Sequence, residues 1–368
     1  MESRKKLLIL SISGAGAGHI RVAKTLEKVA REKFPAVETM HADMVDYISL
    51  SMKTTVIDSY ALLAKRMPEF WGFLYDTTNQ PDTARRFTKL TKQLKRMNSL
   101  RLYEYIRDVG PDAILCTHFL PADIILNAPK KYLSRMPSVS VILTDYDIHS
   151  LWLVPGTHHY FVATEKMKWK MERKGIPAEH VTVSGIPVDP SFLESKSVAE
   201  LKTKHRIKEN QKTILVLSGG VGMGKSDKIA NTLFEMKEPA TLIVIAGNNP
   251  KLEKTLRALD PPPHITLDVI GWTDAVDEYM RIADLVVSKP GGLTTTECIA
   301  LGKPLIVVDP IPGQEERNAE FILEHNHGRV ARSPEDLLYY IEHELPAPKE
   351  GIKKNAAEDI LGEITADF

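Results

Sequence analysis

Short apolar runs alternate with longer amphipathic stretches along this chain, which is the pattern of strands and helices in turn. The runs in the first half cover residues 7–13, 113–117, 138–144, 160–164 and 181–185. Those in the second half cover residues 213–217, 241–246, 265–270, 284–288 and 304–309, and a last helix is predicted near 334–343. Runs of four to six apolar residues between helices are typical of parallel sheets covered on both faces.

Both halves begin with a strand that leads into a glycine-rich loop, and this repetition predicts two domains. The segment 185–194 contains two prolines and ends the first series of strands, so we place the junction there. The predicted fold class is α/β, with two doubly wound, Rossmann-like domains facing one cleft. The predicted boundaries are 1–190, 191–345, and 346–368 for a tail that either packs back on the first domain or frays.

Charge is distributed unevenly although the 368 residues carry no net charge. Residues 1–190 hold 27 Lys and Arg against 20 Asp and Glu, whereas residues 191–368 hold 21 against 28. The two halves therefore offer different surfaces to partners. The two cysteines, Cys116 and Cys298, lie in different halves, which favours a reducing cytoplasm over a disulfide framework. No run of about 18 apolar residues occurs, so no membrane-spanning helix is predicted.

The stretch 284–318 predicts a nucleotide-sugar site. A strand ends at Pro290, Gly291 and Gly292, and a helix follows whose N-terminus suits a phosphate group. We expect Thr294, Thr295 and Thr296 to cap this helix, and Glu297 to accept hydrogen bonds from a ribose. The next strand is predicted to end in a polar loop that suits sugar hydroxyls and carries Gln314, Glu315, Glu316, Arg317 and Asn318. An ordinary βαβ unit with a solvated loop is the alternative.

His19 follows the first glycine loop, at the end of the strand where ligands of open α/β sheets bind. Gly14, Gly16 and Gly18 do not complete the dinucleotide pattern, because the last required position is His19. We therefore expect no NAD, and we interpret His19 as a general base near neutral pH. A helix-capping histidine without chemistry is the alternative.

Residues 219–226, GGVGMGKS, match the phosphate-loop pattern of nucleoside-triphosphate hydrolases and kinases. That function is the strongest rival prediction. However, a complete α/β domain precedes the loop, and the rival function leaves His19 and the stretch 284–318 without a role. In the nucleotide-sugar interpretation, Gly220 and Gly222 admit a diphosphate to the same loop.

A basic amphipathic stretch at 85–107 predicts contact with a membrane surface. An aromatic cluster that includes Trp71 and Phe73 precedes it, and we expect these rings to enter the headgroup region. The alternative is a helix that is buried on one face only, and nucleic acid is disfavoured because no recognition module accompanies the stretch. The basic residues assigned to acceptor and membrane contacts are Arg85, Arg86, Lys92, Lys95 and Arg96.

Further polar groups follow two strands of the first half. Asp145, Asp147 and His149 follow one strand, and His118 follows another. A carboxylate in this position orients a histidine base or pairs with a developing charge. The spacing fits no firm pattern of metal ligands, so we predict no metal site.

The chain as a whole resembles the processive diacylglycerol glycosyltransferases and the plant monogalactosyldiacylglycerol synthases. It is more distantly similar to the lipid-linked N-acetylglucosaminyltransferase of peptidoglycan synthesis. The matching segments run nearly the full length in order, and KPGG and PGQEERN are the more specific ones. They are GHIRVAKTLE (18–27), TDYDIHSLW (144–152), YFVATEKM (160–167), GIPAEHV (175–181), GIPVDPSF (185–192), GGVGMG (219–224), KPGG (289–292) with TT-E (294–297), and PGQEERN (312–318).

The resemblance implies a GT-B fold and an inverting transfer of a hexose without a metal or other cofactor. UDP-glucose is the favoured donor and UDP-galactose is possible, with diacylglycerol as the acceptor at the inner face of the membrane and residues 1–190 as the membrane-binding domain. It also implies roles for Gly292 and Thr294 to Thr296 at the diphosphate, Glu297 at the ribose, Gln314 and Glu315 at the sugar, and Asn248 and Trp272 beside uracil. His19, helped by Asp145, would activate the acceptor.

The chain departs from the family pattern in its first loop, GAGAGH, where relatives often have a different residue before the glycine pair, and at two further positions. Lys225 is not a hallmark of the family, and Arg317 stands where the plant branch often has glycine, which weakens any transfer of galactose specificity. Two other classes of function stay open alongside direct displacement by the acceptor hydroxyl. One is a membrane-associated nucleotidase that uses the 219–226 loop, and the other is a sensor that binds UDP-sugar without catalysis.

Overall fold

The computed structural model divides into two compact units. Unit 1 comprises Met1–Asp189, Pro312–Gln314 and Asn355–Phe368, and unit 2 comprises Pro190–Ile311 and Glu315–Lys354. The described residues are 4–14, 16–50, 53–54, 67–80, 82–84, 86, 98–209, 211–219, 225–352, 354–366 and 368. Six of the predicted site residues lie outside these ranges: Arg85, Lys92, Lys95, Arg96, Gly220 and Gly222.

Unit 1 is built on a six-stranded sheet. Its strands are β1 (Lys5–Ser11), β2 (Val37–Asp43), β3 (Ala113–Cys116), β4 (Ser138–Ile142), β5 (His159–Val162) and β6 (Val181–Val183). The order is β2-β1-β3-β4-β5-β6 and every pairing is parallel, with Leu7 of β1 opposite both Thr39 and Ala113. The inner strands are almost wholly apolar, as expected for a sheet that helices cover on both faces. The chain adds β2 on one side of β1 and β3 on the other, so the strand order reverses between β1 and β3.

The described connections between the strands of unit 1 contain five helices. They are α1 (Ala17–Lys33), α2 (Pro68–Thr78), α3 (Leu100–Val109), α4 (Phe119–Leu126) and α5 (Glu165–Arg173). In α1, Val22, Leu26 and Val29 recur at helical spacing and are buried. Short 3-10 helices at Met44–Tyr47, Ser150–Trp152 and Ala178–His180 complete the connections.

Unit 2 repeats the plan with a second parallel sheet of six strands. It begins with a 3-10 turn, Pro190–Phe192, and the helix α6 (Val198–Lys204). Its strands are β7 (Lys212–Leu217), β8 (Ala240–Ile245), β9 (Ile265–Ile270), β10 (Leu285–Ser288), β11 (Leu305–Val307) and β12 (Gly328–Val330). The order is β12-β11-β10-β7-β8-β9, so this sheet reverses between β7 and β10.

The helices of unit 2 connect these strands. They are α7 (Ser226–Leu233), α8 (Pro250–Arg257), α9 (Val276–Ile282), α10 (Gly292–Ala300), α11 (Gln314–Glu324) and α12 (Pro334–His343). The first residue of α11 groups with unit 1. The last helix, α13 (Ala356–Ala366), also belongs to unit 1, where Glu363 accepts a hydrogen bond from Thr182 at 2.8 Å.

The two doubly wound sheets confirm the predicted fold class. The ten predicted strands occur with ends shifted by a few residues, but β2 and β12 were not predicted. β2 is an edge strand in which apolar and polar residues alternate only weakly. β12 has three residues and begins with a glycine, so neither strand gives an apolar run. Both cysteines are free and buried, which agrees with the expectation of no disulfide. Within the described ranges, no helix has both the length and the apolar character needed to cross a membrane.

Candidate active site

The residues that follow β1 and β3 meet where the sheet of unit 1 reverses its order. β1 leads through Gly14 and Gly16 into α1, which places His19 in the first turn of the helix. β3 leads into Thr117 and His118. Ligands of open α/β sheets bind at such a reversal, beyond the carboxyl ends of the strands. In unit 2 the corresponding position lies beyond β7 and β10.

The ring of His19 is buried, at 6% exposed, and it is fixed by its neighbours. Its Nδ1 lies 2.8 Å from the main-chain oxygen of Thr117 and 3.1 Å from Oγ1 of Thr144. A carbonyl oxygen can only accept, so we infer that Nδ1 carries the hydrogen and that the lone pair of the neutral ring is on Nε2. His19 therefore presents a basic nitrogen in a defined orientation, which is what a general base requires.

The two other histidines predicted here are held as the opposite tautomer. Nδ1 of His118 accepts from the main-chain N–H of Leu120 at 3.1 Å and caps α4. Nδ1 of His149 accepts from the N–H of Leu151 at 3.2 Å, and its Nε2 donates to the oxygen of Tyr75 at 2.9 Å. Both Nδ1 lone pairs are thus engaged by backbone donors. Among these three described histidines, His19 is the one that offers Nε2 as a base.

Electrostatics keep these rings neutral at neutral pH. Burial lowers the pKa of His19 below its ordinary value of 6.5, whereas the Asp145 carboxylate and the hydrogen bond to Thr117 raise the pKa. Burial, together with the charge of His19, holds the pKa of His118 well below 6.5. Burial also lowers the pKa of His149. His19 is therefore ready to take up a proton without first having to lose one.

Asp145 and Gln314 lie together in unit 1 although 169 positions separate them. Nε2 of Gln314 donates to the Asp145 carboxylate at 2.9 Å. Asp147, by contrast, accepts from the ammonium of Lys170 at 2.5 Å. The structure thus brings one carboxylate, Asp145, into the electrostatic environment of His19 and ties the other to a lysine.

The helix α10 begins at Gly292, directly after Gly291, and has no side-chain cap. The prediction that Thr294, Thr295 and Thr296 cap this helix is therefore wrong. The glycines take the chain into the helix before the threonines are reached, and the Thr296 hydroxyl donates back to the oxygen of Gly292 at 2.7 Å. The first N–H groups of a helix have no acceptor within it, so this helix start retains the properties of an anion site.

Glu297 lies in the second turn of α10 and is 1% exposed. Thr295 is also buried, and Thr294 is half-buried. The residues assigned to the diphosphate and ribose thus share one helix at the reversal of the sheet of unit 2. Their contacts with a nucleotide stay predictions.

Residues 314–318 form the first turn of α11 rather than the predicted loop. Gly313, with φ 84, turns the chain just before this helix, and the Glu315 carboxylate accepts from the N–H of Ile311 at 2.7 Å. These two features start the helix earlier than the polar composition suggested. The assignment of Gln314 and Glu315 to the sugar stays a prediction.

The two residues assigned to uracil follow neighbouring strands of unit 2. Asn248 is exposed after β8, where Asn249 caps α8 by accepting from the N–H of Leu252 at 3.0 Å. Trp272 follows β9 and is 63% exposed. Both lie at the same edge of the sheet as the start of α10, because the strands are parallel. An exposed indole offers a face on which a base can stack.

The helix α2 has two distinct faces. Tyr75 and Thr78 lie toward His149, with the Tyr75 and His149 ring centroids 4.4 Å apart. The other face exposes Phe70 and Phe73, at 45% and 65%. We call this apolar side, together with the exposed Met67, the outer face of α2. Trp71 is half-buried and Arg86 is exposed.

Three residues that fix the histidines were not predicted from the sequence. Thr117 and Thr144 hold the ring of His19, and Tyr75 holds that of His149. Thr117 and Thr144 each stand just beyond an apolar strand, which is a recognisable signal. The contact of Tyr75 is through its main-chain oxygen, so its side chain gives no signal. Among the described residues, no group of three or more His, Cys, Asp or Glu is arranged to hold a metal ion.

Two family models match the chain, one over unit 1 and the other mainly over unit 2. Residues 19–188 match the model described as monogalactosyldiacylglycerol (MGDG) synthase, and residues 213–359 match the glycosyltransferase family 28 C-terminal domain. The fold and these two matches define the chain as a glycosyltransferase with two Rossmann-like domains. Within that class the chain is similar to the monogalactosyldiacylglycerol synthases and the processive diacylglycerol glycosyltransferases, and it is a UDP-sugar-dependent hexosyltransferase.

Individual relatives agree with this assignment. The chain is 29% identical to the processive diacylglycerol beta-glucosyltransferase of Bacillus subtilis (strain 168), over 99% of this chain and 96% of that protein. It is 28% identical to the protein of the same name from Bacillus pumilus (strain SAFR-032), over 99% and 95%.

Solved structures share the fold at low identity. MurG of Acinetobacter baumannii has a TM-score of 0.62 at 14% identity and covers 98% of this chain and 99% of its own. The UDP-GlcNAc 2-epimerase from Neisseria meningitidis bound to UDP-GlcNAc has a TM-score of 0.61 at 14% identity, over 98% and 100%. The same architecture therefore serves a second enzyme class, and the assignment to the glycosyltransferases rests on the family models.

Proposed function

We propose that this enzyme moves a hexose from a UDP-sugar to diacylglycerol or a glycosyldiacylglycerol at a membrane surface, with inversion at the anomeric carbon. The observation that carries the proposal is the tautomer of His19. Its Nδ1 is committed to the Thr117 oxygen, which leaves Nε2 as a fixed, neutral base. The names of the relatives supply the acceptor class, and UDP-glucose is the favoured donor.

The donor would bind to unit 2. The start of α10 would receive the diphosphate, Glu297 the ribose and Trp272 the uracil ring. Positive potential from the helix dipole would stabilise the charge of the departing UDP, the role that a metal ion plays in other transferases. On this account the reaction needs neither a metal nor another cofactor.

The acceptor would react beside His19. Its hydroxyl oxygen attacks the anomeric carbon, the bond from that carbon to the diphosphate oxygen breaks, and UDP leaves with the bonding electrons. Nε2 of His19 takes up the hydroxyl proton. The Asp145 carboxylate raises the pKa of His19, so it stabilises the imidazolium that forms. Gln314, held by Asp145, would position the sugar.

The lipid would be reached through unit 1. The outer face of α2 exposes large apolar side chains on the same helix whose other face contacts His149. Inserting Phe70 and Phe73 among headgroups would hold the enzyme at the surface as a peripheral protein. Basic residues of the 85–107 stretch would add attraction to anionic lipids of the inner leaflet.

Calorimetric titration with UDP, UDP-glucose, UDP-galactose and ATP, each with and without Mg²⁺, tests the donor side. We expect binding of UDP that Mg²⁺ does not change, and the tighter UDP-sugar then identifies the donor. The His19→Gln variant should bind UDP like the unchanged protein and lose transfer by a factor of about 10² to 10⁴. Binding of ATP that requires Mg²⁺, without binding of UDP, would instead favour the nucleotidase.

A further inference from the structure

Lys225 and Asp309 form an ion pair at the edge of the sheet where the donor would bind. Lys225 directly precedes α7 and Asp309 follows β11, and the ammonium lies 3.4 Å from both carboxylate oxygens. β10 lies between β7 and β11 in the sheet. The pair therefore spans the end of β10, from which Gly291 and Gly292 lead into α10.

Two features fix the position of this pair. The hydroxyls of Ser218 and Ser226 lie 2.6 Å apart and join the end of β7 to the start of α7, so the lysine stands at a defined place. Asp309 adopts φ 44, a left-handed conformation that is unfavourable for a residue with a side chain. The backbone of both residues is thus held at the edge of the sheet where α10 begins.

The contribution of this ion pair to folding stability is too small to explain why Asp309 adopts an unfavourable backbone conformation beside Lys225. The side chains of Lys225 and Asp309 are 63% and 44% exposed. Exposed ion pairs contribute little to stability, and 3.4 Å is longer than a good charge-assisted hydrogen bond. The pair therefore offsets little of the cost of the left-handed backbone. A loosely held ammonium can move to a stronger anion that arrives nearby.

We propose that Lys225 binds the diphosphate of the donor, and that Asp309 holds the ammonium in place until the donor arrives. This inference rests on the proposed donor site at the start of α10. When the anomeric carbon–oxygen bond breaks, its electrons pass to the diphosphate oxygen, and Lys225 stabilises that charge while keeping all its protons. The hydroxyl proton of the acceptor still goes to His19. Lys225 would thus supply a permanent positive charge in a reaction without a metal.

The test compares the affinities of uridine, UMP and UDP for three variants by calorimetry. Lys225→Ala should weaken UDP at least tenfold, weaken UMP less and leave uridine unchanged, and the dependence of UDP affinity on salt should become shallower. Lys225→Arg should restore most of the affinity. Asp309→Asn keeps a residue that tolerates the left-handed backbone but removes the competing charge, so UDP should bind several-fold more tightly.

Lys228 provides a matched control, because it is exposed on α7 one turn further along. Lys228→Ala should leave all three affinities unchanged. Equal UDP affinity for Lys225→Ala and the unchanged protein would overturn the role of Lys225 and leave the donor site standing. Loss of uridine affinity together with UDP affinity would overturn it too, as a general distortion. Failure of the unchanged protein to bind UDP at all would instead overturn the proposed function.

Discussion

At the scale of single residues, the proposal of His19 as the base depends on which ring nitrogen of each histidine carries the hydrogen. His19 and His149 are buried and His118 is half-buried, and the ring centroids of His19 and His118 lie 4.8 Å apart, but backbone donors engage Nδ1 of His118 and His149. The sequence predicts His19 as a base from its place after a glycine loop. It cannot predict the tautomer, because the deciding oxygen belongs to Thr117, 98 positions away.

Asp145→Asn should move the acidic limb of the pH–rate profile to lower pH. The Asp145 carboxylate raises the pKa of His19, so its removal lets burial lower that pKa further. His19 would then stay neutral in more acidic solution, while the maximal rate falls because the imidazolium loses its partner. The measurement is kcat/KM against pH for both proteins. A limb that stays in place or moves to higher pH would show that Asp145 does not act through His19.

At the scale of secondary structure elements, glycines determine where α10 begins and ends. Gly291 and Gly292 begin α10 without a side-chain cap, and Gly302 follows its end with φ 66. The sequence predicts the helix from these glycines. It does not predict that the segment near Lys349 packs against the end of the helix, because that contact depends on tertiary structure.

Gly302→Ala should destabilise unit 2 by about 2 kcal/mol or more. The new Cβ would lie 1.9 Å from the main-chain oxygen of Lys349, in a left-handed backbone that alanine rarely adopts. Gly291→Ala is the control at the other end of α10, since its Cβ would meet nothing within 4 Å. Urea unfolding of both variants provides the measurement. Equal stability of the two would mean that the packing near Lys349 is wrong.

The outer face of α2 should bind membranes through its phenylalanines. Replacing Phe73 with serine should weaken binding to vesicles of anionic lipid about tenfold, because a Phe side chain then no longer enters the headgroup region. Tyr339→Ser is a matched control, since Tyr339 is an exposed aromatic residue of unit 2. Cosedimentation with vesicles measures both. Equal losses in the two variants, or no loss for Phe73→Ser, would contradict a membrane role for α2.

At the scale of the whole molecule, the sequence predicts the architecture better than the site. Apolar runs predict both sheets and their parallel pairing, because strands buried on both faces need such runs. The starts of α10 and α11 were predicted incorrectly. A run of polar residues is compatible with either a helix or a loop, and tertiary packing decides between the two. The hydrogen bond between Gln314 and Asp145 could not be predicted from the sequence either, because it joins residues from distant parts of the chain.

Acid should destabilise unit 1 at a pH where carboxylates are still ionised. Burial lowers the folded-state pKa values of His19, His41, His118 and His149, all in unit 1. Their stabilising effect is complete above the unfolded pKa of 6.5. It is lost as pH falls from there toward the folded pKa values, by at most about 1.4 kcal/mol per pH unit for each group.

Thermal unfolding at pH 7.5, 6.5 and 5.5 measures this effect. The midpoint should change little between the first two values and fall between the last two, and His118→Gln should reduce the fall. A midpoint of thermal unfolding that stays constant down to pH 5.5 would contradict the neutral state of these imidazole rings.

The most direct test of the central claim is transfer by the purified full-length chain. UDP-[¹⁴C]glucose and UDP-[¹⁴C]galactose are supplied with vesicles that contain diacylglycerol, in the presence of EDTA, and labelled lipid is separated and its anomeric configuration determined. The account predicts a β-linked glycosyldiacylglycerol from one of the two donors, and none from His19→Gln although that variant still binds UDP. Labelled lipid from His19→Gln at the full rate, or none from the unchanged protein until a metal ion is added, would contradict it.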